Sequence, residues 1–279
     1  MKNKFIVLIF FGIFFSASCS SLLYYPAHEQ WVEIKDLPFK AEDIWLASED
    51  GVKIHGWYFH SDITERPKAV LVFFHGNAEN ISTHFQTLTW ILKHEYDFFI
   101  FDYRGYGASD GKPDPSGTLM DGKSAIRYVF NRNHQLPLVV YGQSLGGAIA
   151  LKSVIDLKNK IPIQLVAVDS TFHSYQAIGK KVLSRSFLTW IFQPLAYLLL
   201  SDAAAPGEQI GTISPIPLVV IHGEEDSVVE PEFGKKIFEL GKEPKEFWSI
   251  PKGRHTDSFW KHKGVYRVKL LEALEKNIH

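Results

Sequence analysis

Residues 142–147 read Gly-Gln-Ser-Leu-Gly-Gly, so Ser144 has Gly142 two positions before it and Gly146 two after. The apolar run 138–141 precedes them and helix-forming residues follow, which sets G-x-S-x-G between a strand and a helix. A serine on so sharp a turn has a strained backbone, and strand and helix pass so closely that both flanking positions must be small. This geometry lifts the Ser144 hydroxyl above a sheet and aims the Leu145 amide at the same space, at a helix N-terminus that favours negative charge. The corresponding chemistry is attack on a carbonyl carbon with stabilisation of the oxyanion.

A serine hydroxyl needs a base, and the base needs an acid to orient it. After an elbow of this kind, acid and then base follow in chain order, each at the carboxyl end of a strand. The strand-end carboxylates downstream are Asp169 and the cluster Glu224, Glu225 and Asp226. Asp226 is preferred, with Asp169 as its competitor. Of the later histidines, His222 precedes the acid and reads as structural, and His279 ends the chain. His255 lies in the turn 251–257 after a short strand, and His262 is a fallback that reads as an exposed helix residue.

The elements that must hold these groups are legible as patterns. Residues 43–46 and 52–59 read as strands joined at Glu49-Asp50-Gly51, a hairpin signal. Continuous apolar runs at 69–74, 98–101, 138–141, 165–168 and 218–221 suit parallel strands buried on both faces. Helices are predicted at about 80–93, 117–132, 146–157, 232–240 and 258–276, and a short strand at 246–250. Strands alternating with helices imply an α/β fold with a doubly wound, mostly parallel sheet behind an antiparallel hairpin. Residues 171–213 carry no obvious strand and read as a helical cap insertion. Its apolar stretch 187–200, rich in Phe187, Leu188, Trp190, Ile191, Phe192 and Leu195, is expected either to cover Ser144 as an acyl pocket or to seal the sheet as a buried helix.

From about Asp43 to the C-terminus the chain resembles the α/β-hydrolase superfamily. Beside the elbow, Phe74-His75-Gly76-Asn77-Ala78 is similar to its oxyanion turn, and the resemblance implies that the Asn77 amide is the second oxyanion donor with Leu145. Asp102-Tyr103-Arg104-Gly105-Tyr106-Gly107-Ala108-Ser109 resembles a D-x-R-G-x-G-x-S turn whose role is chiefly structural. The segment 222–229 resembles the H-G-x-x-D-x-x-V loop that delivers the triad acid, Asp226, and the turn of His255 stands where the family places its base. The chain also resembles HGN-type serine hydrolases, among them membrane-associated depalmitoylases and lysophospholipase-like esterases. The implied mechanism runs through an acyl-enzyme on Ser144, with His255 as base and Asp226 fixing its tautomer, and needs no metal or organic cofactor.

Composition sets the outer bounds. The 279 residues are 46% hydrophobic and 14% aromatic, a globular composition, and 30 basic against 31 acidic residues give no general attraction to nucleic acid. The lone cysteine, Cys19, excludes an internal disulfide framework and a cysteine-based zinc site. Lys2 and Lys4, the apolar run 5–15, and Ser16-Ala17-Ser18 before Cys19 have the order of a secretory signal. As helix that run spans about 16 Å, half of a bilayer core. The position of Cys19 resembles a bacterial lipobox, with Ser16 where Leu is usual. The predicted organisation is a signal peptide over 1–18, a tether over 19–40 and a catalytic domain over 41–279, attached to the cell-envelope membrane through lipidated Cys19. Plain secretion and an uncleaved anchor are the alternatives. The expected activity is hydrolysis of carboxylic esters or thioesters of small-molecule or lipid-like acyl groups. A peptidase or amidase using the same triad, and a catalytically silent envelope binding protein, are the competing readings.

Overall fold

The computed structural model describes residues 23–185 and 188–278. The leader, Cys19, Phe187 and His279 lie outside the described residues. In chain order the elements are β1 (Tyr25–Pro26), β2 (Ala41–Ala47), β3 (Lys53–Phe59), β4 (Ala69–Phe74), β5 (Ala78–Glu79), α1 (Ile81–His84), β6 (Tyr96–Phe101), α2 (Pro115–Arg132), β7 (Leu138–Gln143) and α3 (Leu145–Leu157). There follow β8 (Ile163–Asp169), α4 (Tyr175–Ser184), α5 (Gln193–Leu199), β9 (Leu218–Gly223), α6 (Pro231–Leu240), β10 (Lys245–Ile250) and α7 (Val265–Asn277).

Among the described residues, eight strands form one sheet in the order β10-β9-β8-β7-β4-β6-β3-β2. The pairings from β10 to β6 are parallel, and β3 joins β6 and β2 antiparallel. Every residue of β4, β6, β7 and β9 is buried, as their unbroken apolar sequences require when helices cover both faces. One face packs against Ile126 and Val129 of α2, Ile149 of α3 and Ile237 of α6. The other packs against Ile81, Leu88, Ile91 and the α7 residues Leu270 and Leu274. Each such side chain contributes about 1.5–3 kcal/mol by leaving water.

The hairpin turn closes through Ser48 N to Val52 O at 2.8 Å, with Gly51 at φ 86°. The turn after β6 is a structural knot. Asp102 accepts from the Ile81 amide, while Arg104 reaches Asp121 on α2 and Asp50 beside the hairpin turn.

Three predicted elements differ. The helix expected over 80–93 is α1 followed by two 3-10 turns, Phe85–Thr87 and Thr89–His94. β-Branched residues crowd it, and its side chains bond their own backbone, Thr89 to Gln86 O and Trp90 to Thr87 O. The last helix begins at Val265 rather than 258, because His262, Lys263 and Gly264 are all left-handed and Phe259 is buried against Trp90 and Tyr141. The stretch read as a tether is docked from Leu23 onward, with β1 paired parallel to β5 and Asn80 donating to the carbonyls of Ala27 and Glu29.

Candidate active site

Ser144 sits between β7 and α3 at φ 52°, ψ −124°. A Cβ on Gly146 would stand 2.3 Å from the His75 and Phe74 carbonyl oxygens, and one on Gly142 would stand 2.7 Å from Gly147 Cα. Neither position tolerates a side chain, so the two glycines are what allow the strained serine to exist. The turn is braced by Ser144 N donating to Asp169 O at 2.9 Å and by the Thr171 hydroxyl donating to Ser144 O at 2.6 Å.

His255 lies against this serine, its Nε2 3.0 Å from Ser144 Oγ and its Nδ1 2.8 Å from Asp226 Oδ2. With the proton on Nδ1 donated to Asp226, Nε2 is free to accept from the Ser144 hydroxyl. Asp226 Oδ1 accepts from the amides of Val228 and Val229. Burial opposes ionisation of this carboxyl, but the hydrogen bond and charge of His255 and those two amides outweigh it and hold it below the usual carboxylate range. The acid loop after β9 and the base turn after β10 are tied together: Glu225 N donates to Gly253 O at 2.8 Å and Glu224 N to Ile250 O at 3.0 Å. Thr256, next to the base, is anchored through its amide to Ser170 Oγ. Adjacent parallel strands thus register two loops that lie 29 residues apart in sequence.

The competing residues have other partners. Asp169 is buried and accepts from Ser258 at 2.5 Å, Ser170 at 3.0 Å and Tyr141 at 3.4 Å; burial pushes its carboxyl above the usual range despite those hydroxyls. His222 is buried, with Nε2 donating to Val229 O and lying 3.5 Å from Asp226 Oδ2, so it braces the acid loop. His262 donates to Pro251 O. Glu224 accepts from Ser249.

Ser144, Leu145, Gly76, Asn77 and His255 share one cavity of about 480 Å³. Its walls include Leu23, Tyr25, Phe172, Tyr175, Ile178, Val182, Arg185, Val228 and Val229. Among the described residues no carboxylate lines it, and Arg185 donates to Val228 O and Glu230. The His84 ring also faces the cavity; burial, with His75 beside it, pushes it down to about 3, so it adds no charge near neutral pH. Among the described residues no cluster of His, Cys, Asp and Glu is arranged to hold a metal ion.

Of the stretch 187–200, Phe187 lies outside the described residues, and the described part, 188–200, neither lines this cavity nor seals the sheet. The wall is α4 and the residues before it, whose Tyr175, Ile178, Val182 and Arg185 follow a 3-4-3 spacing along one helical face. That periodicity is present in the sequence and identifies the lining helix; the greater apolar density downstream belongs to a layer farther out. Leu23 and Tyr25 carry no comparable sequence signal, since only their docking brings them to the pocket.

Over residues 65–207 the chain matches the family described as "Hydrolase_4: Serine aminopeptidase, S33". It is 36% identical to the protein YfhR of Escherichia coli K12, with 98% of this chain and 95% of that one covered. It is 30% identical to the α/β hydrolase domain-containing protein WAV2 of Arabidopsis thaliana, covering 84% and 79%. Among solved structures, the Pyrococcus furiosus esterase Pf2001 superposes with a TM-score of 0.73 at 20% identity, covering 92% of this chain and 98% of that chain.

Proposed function

The chain belongs to the Hydrolase_4 (serine aminopeptidase S33) family of α/β-hydrolases, and we propose that within it the protein is a serine hydrolase that cleaves carboxylic esters or thioesters. The observation that carries the reading is the relay Ser144–His255–Asp226, 3.0 and 2.8 Å long, opening on an apolar cavity. His255 takes the Ser144 proton as the oxygen attacks the acyl carbon, and Asp226 steadies the imidazolium that forms. The main-chain amides of Leu145 and Asn77 receive the developing oxyanion. His255 then protonates the leaving alcohol or thiol, and water attacks the acyl-enzyme by the same relay.

The cavity wall favours ester over aminopeptidase chemistry. An aminopeptidase must neutralise its substrate's terminal ammonium, yet the described wall offers mostly apolar side chains, a few neutral polar groups and Arg185, and among the described residues no carboxylate. Amide cleavage with the same triad is the second reading, supported by the family's description. Fluorophosphonate labelling of wild type but not Ser144→Ala separates an enzyme from a silent binding protein. A panel of p-nitrophenyl esters set against aminoacyl-anilides separates the two substrate classes, and faster anilide turnover overturns the ester assignment.

Attachment to an envelope membrane through lipidated Cys19 is part of the same proposal. It is supported by the order Lys2, Lys4, apolar run and small residues ahead of that cysteine. Cys19→Ala should release the protein from membranes while hydrolysis persists; continued membrane association of an uncleaved chain rules lipidation out.

A further inference from the structure

Between residues 190 and 198, the side chains of Trp190, Ile191, Phe192, Leu195, Tyr197 and Leu198 are 39–77% exposed. The packing explains why they face outward. α5 lies on α4 through small residues: a Cβ on Gly179 would stand 2.3 Å from Leu200 Cδ1 and 3.7 Å from the Ala196 Cβ, and Ala196 is buried. The face that packs on α4 is used up by Ala196 of α5 and by Leu200 directly after it, so the large side chains are surplus to the core. So dense a set of exposed apolar groups marks an interaction surface.

Three features identify what this surface meets. Leu23 shares a cavity of about 210 Å³ with Leu199 and Leu200, so the first described residue, which follows Cys19 and the apolar run 5–15 in sequence, lies beside the end of α5. Leu23 is four positions after Cys19 in sequence, a reach of at most about 14 Å. The stretch 171–201 contains no Asp or Glu but does contain Lys180, Lys181 and Arg185. Glu230 pairs with Lys181 and Arg185, Asp202 accepts from Ser174 and the Gln176 amide, and Lys180 lies over the Tyr197 ring. Finally, the opposite face of α4 is the wall of the Ser144 cavity. We propose that residues 190–198 rest in the interfacial layer of an anionic phospholipid bilayer, so that the cavity takes acyl-ester lipid from that layer. Trp and Tyr at headgroup depth, aliphatic side chains below and cations at the edge are what such a layer accommodates. The substrate part rests on the hydrolase reading above, and the docking part only on the membrane attachment proposed with it.

The test uses the full chain carrying Ser144→Ala, so that hydrolysis plays no part, in phosphatidylcholine–phosphatidylglycerol vesicles with brominated acyl chains. Tryptophan emission should be quenched by the bromine, and adding Trp190→Phe should remove much of that quenching. Equal quenching with and without Trp190 overturns the docking. So does shielding of Trp190 from acrylamide when no vesicles are present, which assigns the face to another part of the chain or a second copy. In the active chain, Ile191→Glu with Leu198→Glu should lower turnover of a vesicle-borne long-chain ester about tenfold and leave a soluble short-chain ester unchanged. Unchanged vesicle turnover overturns the delivery role. Loss of both activities signals misfolding and leaves the decision to the quenching. Absence of any ester turnover in wild type defeats the hydrolase reading while the quenching still reads the docking.

Discussion

The side-chain amide of Asn77 donates to the Leu23 carbonyl at 2.7 Å, stapling the turn beside Ser144 to a residue 54 positions earlier. Its Oδ1 accepts from the Tyr25 amide at 3.0 Å and the Tyr106 hydroxyl at 2.7 Å. The main-chain amide assigned to the oxyanion is therefore held in place by its own side chain. Asn77→Ala keeps that amide and removes three hydrogen bonds, each contributing about 0.5–1.5 kcal/mol. Turnover of a soluble aryl ester should fall roughly ten- to a hundredfold in kcat, with a smaller effect on KM. A lowered Tm with unchanged kcat would make the staple merely structural.

The acid assignment separates Asp226 from Asp169. Asp226→Asn favours the wrong imidazole tautomer, and in the serine-protease example this kind of change costs about 10⁴ in kcat. Asp169→Asn disturbs hydroxyl partners that do not touch substrate, so kcat should stay within a few-fold of wild type. The reverse ranking in steady-state kinetics moves the acid to Asp169.

Removing the nucleophile and the base together should cost little more than removing either one. Ser144→Ala should abolish fluorophosphonate labelling, and Ser144→Ala/His255→Ala should turn over ester at nearly the rate of the single variants, because the groups act as a unit. Clearly additive losses would show that His255 serves a second, independent role.

The two buried aspartates give opposite pH dependences of stability. The Asp226 carboxyl is depressed in the folded state, so its stabilisation is complete above the unfolded value of about 3.9 and is lost as pH falls through the folded value. The Asp169 carboxyl is raised, so it costs stability as pH climbs from about 3.9 through its folded value. In urea titrations across acid pH, the deficit of Asp226→Asn relative to wild type should shrink as pH is lowered. The deficit of Asp169→Asn should shrink as pH is raised toward neutrality. Parallel trends for the two variants contradict the site electrostatics.

Chain-length selection should respond to α4 and not to α5. Val182→Trp, on the cavity wall, should lower kcat/KM for long-chain p-nitrophenyl esters about tenfold or more while sparing the acetate. Leu195→Asp, on the outer layer, should leave the soluble series unchanged. A long-chain defect confined to Leu195→Asp would restore that stretch to the pocket.

The sequence by itself determined the features that depend on near neighbours along the chain. Unbroken apolar runs specify strands buried on both faces, and Gly142, Ser144 and Gly146 specify the elbow because each constraint acts within a few residues. The loops bearing Asp226 and His255 could be located for the same reason: each directly follows its own strand. Tertiary structure decided the relations that span long stretches of chain. Asp169 and Asp226 are both strand-end carboxylates. Only the bonding of the β9 loop to the β10 turn shows that Asp226 accepts the His255 Nδ1 hydrogen bond while Asp169 is turned to Ser258. Likewise, apolar density cannot tell a pocket wall from an outer surface. That depends on which face of α4 packs toward Ser144 and which receives α5 at Gly179. The docking of Leu23 and Tyr25 follows from side-chain hydrogen bonds to Asn77, a partner that no local pattern names.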